Sequence, residues 1–378
     1  MRASRSPIRV ERRLHTPRWV PFASPVIAVV LALIAGAVLL LLTGHSAIGT
    51  YREMLHRAFT DPGAFSGTLV SATPLLFTGL AAAVAFRLGV FNIGGEGQLY
   101  IGAVTAMAAG LALGSWPGPF VITAMVAAGA VGGALWALIA GVLRTRWRTN
   151  EIITTLMLNY LAATLMTYLV FDSNSYWRDL SGTGEFFPVG KTLSGHAPWP
   201  LTDIGSVHVP LGFIIGLACA VFAYVLYRAT RFGYEVRVIA DAPKAAEYAG
   251  MRTKRTILAV MGLSGALAGI GGASDAGDFR HVLDPRGIQQ SSFGYTGIVV
   301  AALARLNPLA VVIVAILLGG IDNAGIALQG PNFPSGLVGT LEGLILFFAL
   351  GGEIIGRYRI VRRAAPAAGP AAAGGVAA

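Results

Sequence analysis

Charged side chains are scarce in this chain of 378 residues. Asp, Glu, Lys and Arg make up 12% of the sequence, 55% of the residues are hydrophobic, and the mean hydropathy is +0.67. A soluble domain carries about a quarter charged residues, so the composition predicts a polytopic membrane protein. The net charge of +10 does not indicate a nucleic-acid partner, because the basic residues fall in short clusters between apolar runs.

Sequence motifs for catalysis are also missing. The only cysteine, Cys219, cannot form an intrachain disulfide or a thiolate metal cluster by itself. The chain has no G-x-x-x-x-G-K-[ST] phosphate loop, no H-E-x-x-H and no G-x-S-x-G, and its six histidines are scattered. We therefore expect no enzyme, no metal site and no cofactor in this chain, and no hydrolysis of ATP without a partner.

Long apolar runs dominate what is present. A bilayer span needs about 20 apolar residues. Ten runs approach that length, and they begin near Phe22, Ser66, Ile93, Pro119, Ile152, Val209, Arg255, Gln290, Pro308 and Ser335. The pattern predicts an all-α transmembrane bundle of about ten spans. Residues 290–305 are the weakest span, and a re-entrant segment is the alternative there.

Basic residues predict the orientation, since short cytoplasmic loops are enriched in Lys and Arg. Arginines crowd the N-terminus, the connection after the fourth span, the segment after the sixth span and the C-terminal end. Ten alternating spans place all four clusters on the cytoplasmic side, and both termini with them. Residues 172–208 then fall outside.

These boundaries divide the chain into three parts. Residues 1–21 are a basic cytoplasmic segment, residues 22–356 form the transmembrane domain, and residues 357–378 are predicted to be a disordered cytoplasmic tail rich in Ala, Gly and Pro. The first apolar run is longer than a signal-peptide core, which favours an uncleaved anchor.

The cytoplasmic segment 231–254 is too polar to span. Asp241 can cap a helix N-terminus, Pro243 is tolerated in the first turn and Gly250 suits the C-terminal cap, so the spacing predicts a helix over 242–249. Small side chains at 242, 245, 246 and 249 form one narrow face. That face permits docking into a partner's groove, and an amphipathic connector lying on the bundle is the alternative.

FNIGGEGQ, residues 91–98, stands between the second and third spans. Three glycines within four residues argue that no regular helix runs through this stretch, because each costs about 1 kcal/mol relative to alanine. We expect a tight turn or a partly re-entrant segment at the cytoplasmic end of the pathway, with Glu96 held by Arg87.

Several stretches together resemble one family, the permease subunits of ATP-binding-cassette importers for nucleosides and simple sugars, close to branched-chain amino acid and ribose permeases. The stretches are GVFNIGGEGQLYIGA from Gly89, TNEIITTLMLNYLA from Thr149, GYEVRVIADAPKAAEYAGM from Gly233, LSGALAGIGGA from Leu263 and GYTGIVVAALARLNPL from Gly294. The resemblance covers roughly residues 60 to 355.

The resemblance implies a coupling loop that docks on a cytoplasmic ATPase. Its positions here are Gly233, Arg237, Asp241, Ala245, Ala246 and Gly250. It also implies a multi-pass protein of the bacterial inner membrane, a second permease chain, and an extracytoplasmic substrate-binding lipoprotein. Residues 172–208 are a candidate surface for that lipoprotein, and a plain extracellular linker is the alternative. ATP is used by the partner and not by this chain.

Polar residues inside the spans are candidates for the substrate pathway, because such groups are costly in lipid and usually face a cavity or a partner. They are Asn92, Glu96, Gln98, Asn159, Asp322, Asn323 and Glu342. Asp275 and Asp278 are expected near the outer end of the seventh span. Interhelical hydrogen bonding is the alternative role for each residue.

Amide groups and the nearby rings of Phe91 and Tyr160 suit an uncharged polar ligand. Similarity of the Gly89 and Thr149 stretches to the nucleoside branch favours nucleosides, with simple sugars as the alternative and branched-chain amino acids disfavoured. An ion-coupled secondary transporter, with Glu96 as proton carrier, is the competing class.

Overall fold

The computed structural model describes residues 8–12, 20–181, 184, 187–328 and 336–362. Most of this part of the chain is helical. The helices, in chain order, are α1 Val20–Leu42, α2 Ala47–Leu55, α3 Ala64–Arg87, α4 Gly95–Leu113, α5 Gly118–Trp147, α6 Glu151–Thr167, α7 Leu211–Ala229, α8 Arg231–Asp241, α9 Pro243–Tyr248, α10 Thr253–Ser274, α11 Pro285–Ser291, α12 Phe293–Leu303, α13 Pro308–Ala327 and α14 Leu337–Arg357. Single π-helical turns extend α2, α6 and α10, over His56–Thr60, Tyr168–Asp172 and Asp275–Arg280.

Helix starts follow local chemistry. Asn150 caps α6, since its side chain accepts a hydrogen bond from the Ile152 N–H group. Asn307 caps α13 in the same way through Leu309 N–H, and Pro308 occupies the first turn, where its missing N–H costs nothing. Capping therefore sets where both spans begin.

Within the described residues, seven helices are long and apolar enough to cross a membrane. They are Pro25–Leu42, Ala64–Arg87, Gly118–Trp147, Glu151–Asp172, Leu211–Ala229, Thr253–Arg280 and Pro308–Ala327. Each matches one of the runs expected from the sequence, which confirms a multi-pass helical membrane protein.

Three of the expected runs form helices that fall short. Helix α4 is 19 residues long but starts with Gly, Glu, Gly and Gln, which lowers its hydropathy. Helix α12 has 11 residues and rises about 16 Å, roughly half a bilayer. In α14 the apolar part is Leu337–Phe348. The prediction of ten crossings stays a prediction at these three places.

Two groups of four helices pack in a related way. Helix α10 packs on α4 and α5, and α3 packs on α12 and α13; α6 contacts α4, and α14 contacts α12. Helices α3 and α10 are antiparallel, because Ser264 bonds to Ala81 while Gly271 lies against Phe77. This arrangement resembles the inverted repeats common in transporters, with α4 and α12 in equivalent positions.

Close helix packing at the centre depends on glycine. An added Cβ on Gly133 would lie 2.2 Å from the carbonyl oxygen of Gly265, and one on Gly102 would lie 2.3 Å from the Cα atom of Gly269. Small residues let helix backbones approach closely where lipid supplies no hydrophobic driving force. Helices α4, α5 and α10 therefore form a tight central layer.

Short strands add to the helices. Strand β1, Ile8–Arg12, pairs antiparallel with β4, Tyr358–Arg362, and β2, Leu201–Ile204, pairs with β3, Val207–Pro210. The all-α prediction missed both pairs because each strand is only four or five residues long. The predicted tail 357–378 begins with the last residue of α14 and with β4, and residues 363–378 lie outside the described residues.

Candidate functional site

The chain between α3 and α4 is broken inside the bundle. Gly89 has a positive φ of 75°, and the next residues leave helical hydrogen bonding. Side chains replace the missing bonds: Gly94 N–H donates to Asn92 Oδ1 at 3.0 Å, and Asn159 Nδ2 donates to the Ile93 carbonyl at 2.9 Å. Non-helical backbone at membrane depth requires such partners.

Asn92 and Gln98 form a reciprocal amide pair. Each side-chain nitrogen donates to the other's oxygen at 2.9 Å, and Asn92 Nδ2 also donates to Ser264 Oγ at 2.9 Å. Ser264 in turn donates to the carbonyl of Ala81 at 2.7 Å. The break is thereby fastened to both α3 and α10.

Asn159 on α6 also forms hydrogen bonds with the non-helical segment between α3 and α4 and with the start of α4. Its Oδ1 accepts from Gly97 N–H at 2.9 Å, and its Nδ2 also donates to Tyr295 Oη at 3.2 Å. An added Cβ on Gly97 would lie 2.9 Å from the Cα of Asn159. The third glycine of FNIGGEGQ is therefore required by the approach of α6.

Glu96 lies where the N-termini of α4 and α12 meet. Its carboxylate accepts hydrogen bonds from the Tyr100 hydroxyl, from Gly294 N–H, and from Tyr295 N–H at 3.2 Å. It is a first-turn residue of α4 and also caps α12, so one negative charge meets the positive ends of two helix dipoles. Its side chain is buried.

Arg87 does not hold Glu96, so that expectation was wrong. The Arg87 guanidinium donates to the Leu306 carbonyl at 3.0 Å and lies over the ring of Tyr227. Backbone N–H groups at the start of α12 compensate the carboxylate instead. Their nearness in sequence suggested the ion pair. Arg87 ends α3 and Glu96 lies in the first turn of α4, however, and the two side chains bond to different parts of the chain.

The depth of this junction follows from α3. Thr78 Oγ1 donates to the Phe293 carbonyl at 2.9 Å, which sets the start of α12 beside Thr78. Thr78 precedes Arg87 by about 14 Å of helix, and half a hydrocarbon core is about 15 Å. The junction therefore lies well inside the span of α3, about 14 Å of helix from Arg87.

A second polar cluster joins α12, α13 and α14. Thr296 donates to Glu342 Oε2 at 3.0 Å. The carboxyl group of Asp322 faces the Ser71 hydroxyl and lies near Glu342. Both carboxylates are partly buried, and neither pairs with a basic side chain among the described residues.

Asn323 belongs to neither cluster. Its Nδ2 donates to the carbonyls of Arg57 and Ala64 at 3.2 Å each and to Thr68 Oγ1 at 3.4 Å. It therefore satisfies the turn before α3. Of the seven pathway candidates, the structure joins Asn92, Glu96, Gln98 and Asn159, joins Asp322 with Glu342, and leaves Asn323 apart.

The segment 231–254, predicted to be cytoplasmic, contains two short helices, α8 and α9. Helix α8 buries Gly233, Val236 and Ile239 on one side, and an added Cβ on Gly233 would lie 2.3 Å from the Tyr227 carbonyl oxygen. Arg237 and Asp241 are exposed. Sequence analysis missed α8, although its period of three to four is visible in the sequence.

Helix α9 matches the predicted short helix, with one correction. Asp241 ends α8, and α9 has Ala242 as its N-cap without a side-chain bond, so Asp241 does not cap it. Gly250 has a φ of +74°, its N–H donates to the Glu247 carbonyl and Met251 N–H donates to Ala246, a Schellman motif.

The small-residue face of α9 is divided. Ala246 is fully buried against the chain, whereas Ala242, Ala245 and Ala249 are exposed. Tyr248, next to them, is 94% exposed. Ala246 therefore packs internally, and the surface open to a partner consists of the other three alanines and Tyr248.

The segment between α6 and α7, predicted to lie outside, is bonded to the turn that follows α10. Trp199 N–H donates to the Gly277 carbonyl at 2.9 Å, and Leu193 N–H donates to His281 at 2.7 Å. Asp278 caps α7 by accepting from Gly212 N–H at 3.0 Å. Near residue 180 the segment is exposed to solvent. There the N–H and hydroxyl groups of Ser181 donate hydrogen bonds to the Asp179 carboxyl group and hold its pKa below the usual value.

A basic side chain organises the same region. Arg280 donates to Asp275 at 2.8 Å and to Ser291 at 3.1 Å, and lies 3.4 Å from Asp284. Asp275 and Asp278 occupy the π-helical turn after α10, as expected. Ion pairs and hydrogen bonds of Arg280 thus hold the turn after α10 to the start of α11.

Comparisons with known proteins agree with this architecture. The family described as branched-chain amino acid transport system, permease component, matches residues 64–350. The guanosine ABC transporter permease protein NupP of Bacillus subtilis is 33% identical, over 86% of this chain and 91% of NupP.

Two further relatives are named for different substrates. The glucose ABC transporter permease protein TsgB13 of Haloferax volcanii is 31% identical over 93% of each chain. The nucleoside ABC transporter permease protein NupB of Lactococcus lactis is 29% identical, over 86% of this chain and 89% of NupB. With the matched family covering nearly the whole bundle, the chain belongs to the branched-chain amino acid transport system permease family.

Proposed function

We propose that this chain is a permease subunit of an ATP-binding-cassette importer for nucleosides in a bacterial inner membrane. The observation that carries the proposal is its likeness, over 86% of its length, to a guanosine permease and a nucleoside permease. The polar junction inside the bundle supports a transport role, because breaks in transmembrane helices border substrate or ion pathways.

Ten crossings, with both termini in the cytoplasm, are part of the proposal. Pairing of β1 with β4 supports an even number of crossings, because it brings residues 8–12 and 358–362 together. Seven spans would separate the termini. Counting α4, α12 and α14 as crossings makes ten, and the basic clusters then fall inside.

The partners proposed are a cytoplasmic ATPase, a second permease chain in a heterodimer, and an extracytoplasmic binding lipoprotein. Permeases of this family work with an ATPase and a substrate-binding protein. The ATPase would dock on α9 through Ala242, Ala245, Ala249 and Tyr248, all of them exposed. This chain binds no cofactor itself; ATP closes the ATPase pair, and α8 and α9 relay the motion to the bundle.

Asp322 and Glu342 are the pathway candidates that the geometry favours most. They are partly buried and form no salt bridge with a basic side chain among the described residues, although the charge of Arg280 acts on Asp322 from farther away. Each carboxyl group faces one hydroxyl group of the chain, which leaves acceptor positions for a substrate hydroxyl. Asn92, Glu96, Gln98 and Asn159 bond to the chain's own groups and would act by positioning the helices. Asn323 would hold α13 to the start of α3.

Reconstitution tests the function. The chain, with its co-encoded ATPase, sister permease and binding protein, is placed in proteoliposomes, and uptake of labelled guanosine, adenosine and glucose is compared. We expect ATP-dependent uptake of both nucleosides and little uptake of glucose. Uptake of glucose alone would overturn the nucleoside assignment.

Two alternatives are separated by the same preparation. A sugar permease is favoured by the likeness to the glucose permease TsgB13, and it predicts the opposite substrate order. An ion-coupled secondary transporter predicts uptake that persists without ATP and stops when the proton gradient is collapsed. The exposed surface of α9 argues against that class, since such a transporter needs no ATPase.

A further inference from the structure

Helix α6 exposes one long stripe of side chains to its surroundings. The stripe follows a helical period and contains aromatic and hydroxyl groups. Its members are Ile153, Met157, Tyr160, Leu161, Thr164, Leu165 and Tyr168. Tyr160 is the most exposed of its large side chains, at 67%.

The exposed stripe of α7 has a different composition. Its large members are aliphatic or phenylalanine, as expected of a helix against lipid. They are Ile214, Leu217, Val221, Phe222 and Val225. Two helices with similar exposure thus offer different chemistry, and only the α7 stripe suits hydrocarbon on all sides.

Tyr160 is at a depth where lipid does not favour it. It lies about 14 Å along α6 from Glu151, which is near the centre of a core about 30 Å thick. Tyrosine is enriched at membrane interfaces, where its hydroxyl meets water. Tyr168, nearer the outer end, fits that rule, but Tyr160 does not.

A second exposed tyrosine stands beside it. Tyr295 is 38% exposed, and its hydroxyl accepts a hydrogen bond from Nδ2 of Asn159, the residue before Tyr160. Its N–H donates to Glu96 at 3.2 Å, so the ring is mounted on the junction of α4 and α12. Both exposed rings therefore adjoin Asn159, Tyr295 through its hydroxyl group and Tyr160 as the next residue of α6, and the Tyr295 hydroxyl is near enough to Tyr160 to be affected by it.

We infer that Tyr160 and Tyr295 form one wall of the translocation pathway and stack on the base of the nucleoside as it passes. A water-lined path explains a phenol exposed at mid-bilayer, and a heteroaromatic base is a ligand that stacks on the tyrosine ring. The substrate part of this inference rests on the proposed function; the wall itself rests on the two exposed rings.

Cysteine accessibility tests the wall. In a Cys219→Ser background, Tyr160→Cys and Val221→Cys are compared in the complete transporter in proteoliposomes, using a charged methanethiosulfonate reagent. Val221 is the control, because it is 48% exposed near the middle of α7. We expect Tyr160→Cys to react at least about tenfold faster, since a charged reagent reaches only thiols in contact with water. Equal rates would overturn the wall.

Protection separates the wall from the substrate. Guanosine or adenosine with the binding protein should slow modification of Tyr160→Cys, whereas glucose should not. Fast modification that only glucose slows would leave the wall in place and overturn the nucleoside assignment. Fast modification that no substrate slows would overturn contact with the substrate.

Transport kinetics provide the second readout. Tyr160→Leu should raise KM for guanosine about fivefold to tenfold with the maximal rate nearly unchanged, because stacking is lost while the helices are kept. Tyr160→Phe should stay within about twofold of the parent. Val221→Leu is the matched control, and a KM shift of the same size there would overturn the role assigned to Tyr160.

Discussion

Two segments that carry several polar residues each, the junction of α4 and α12 and the helix pair α8 and α9, fold in opposite ways. At the junction of α4 and α12 the polar side chains are buried and bonded to backbone groups of the same chain. In α8 and α9 the polar and small side chains point mostly outward. Polar groups thus satisfy the backbone inside the bundle, whereas in α8 and α9 they leave an open surface. Three substitutions test this contrast, in decreasing order of their expected effect on folding.

The largest effect is expected from Glu96→Ala. It would leave Tyr100, Gly294 and Tyr295 without their acceptor, and each buried unsatisfied group costs about 1–3 kcal/mol. We expect at least about 3 kcal/mol lower stability and lost transport, measured by thermal unfolding in detergent and by uptake. Glu96→Gln keeps one oxygen acceptor, so its loss of stability should be less than half of the loss expected for Glu96→Ala. If both variants have the melting temperature and the transport rate of the parent, FNIGGEGQ is only a turn.

A smaller effect is expected from Gly294→Ala. The added Cβ would lie 2.2 Å from the Glu96 backbone nitrogen, so α4 and α12 must separate, at about 1–3 kcal/mol for overpacking. Gly339→Ala is the control, since nothing lies within 4 Å of its added Cβ. Thermal unfolding should show loss of stability for the first variant only. Equal behaviour would mean that the two helices do not meet closely.

The smallest effect on folding is expected from Ala245→Glu. This residue is exposed on α9, so stability should change by less than about 0.5 kcal/mol. ATP-driven uptake and co-purification with the ATPase should nevertheless be lost, because a bulky charge blocks docking. Ala246→Glu, by contrast, buries a carboxylate and should lower the melting temperature first. Normal coupling in the Ala245 variant would contradict docking through this face.

Much of the fold could be read from the sequence, because hydropathy reports span position directly. The turn at Gly250 was predictable, since a helix that ends in a left-handed residue favours glycine. The break at FNIGGEGQ was also predictable from its glycines. Its depth was not, because depth depends on the contact between Thr78 and Phe293, which are far apart in sequence.

The partners of the site residues could not be predicted for the same reason. Glu96 is bonded by Gly294 and Tyr295, about two hundred residues along the chain, and Arg87 was chosen only for its nearness in sequence. Tyr100, one helical turn after Glu96, was the partner that spacing could have found. Ser264 had no sequence signal at all.

The pairing of β1 with β4 has a consequence for biosynthesis. Helix α1 also packs against α14, so the first helix and the first strand both find their partners in the last part of the chain to be translated. Helix α1 and strand β1 must therefore remain without these partners until α14 and β4 have been synthesised. In a chain truncated before α14, helix α1 and strand β1 would therefore both lack the elements that they pack against and pair with.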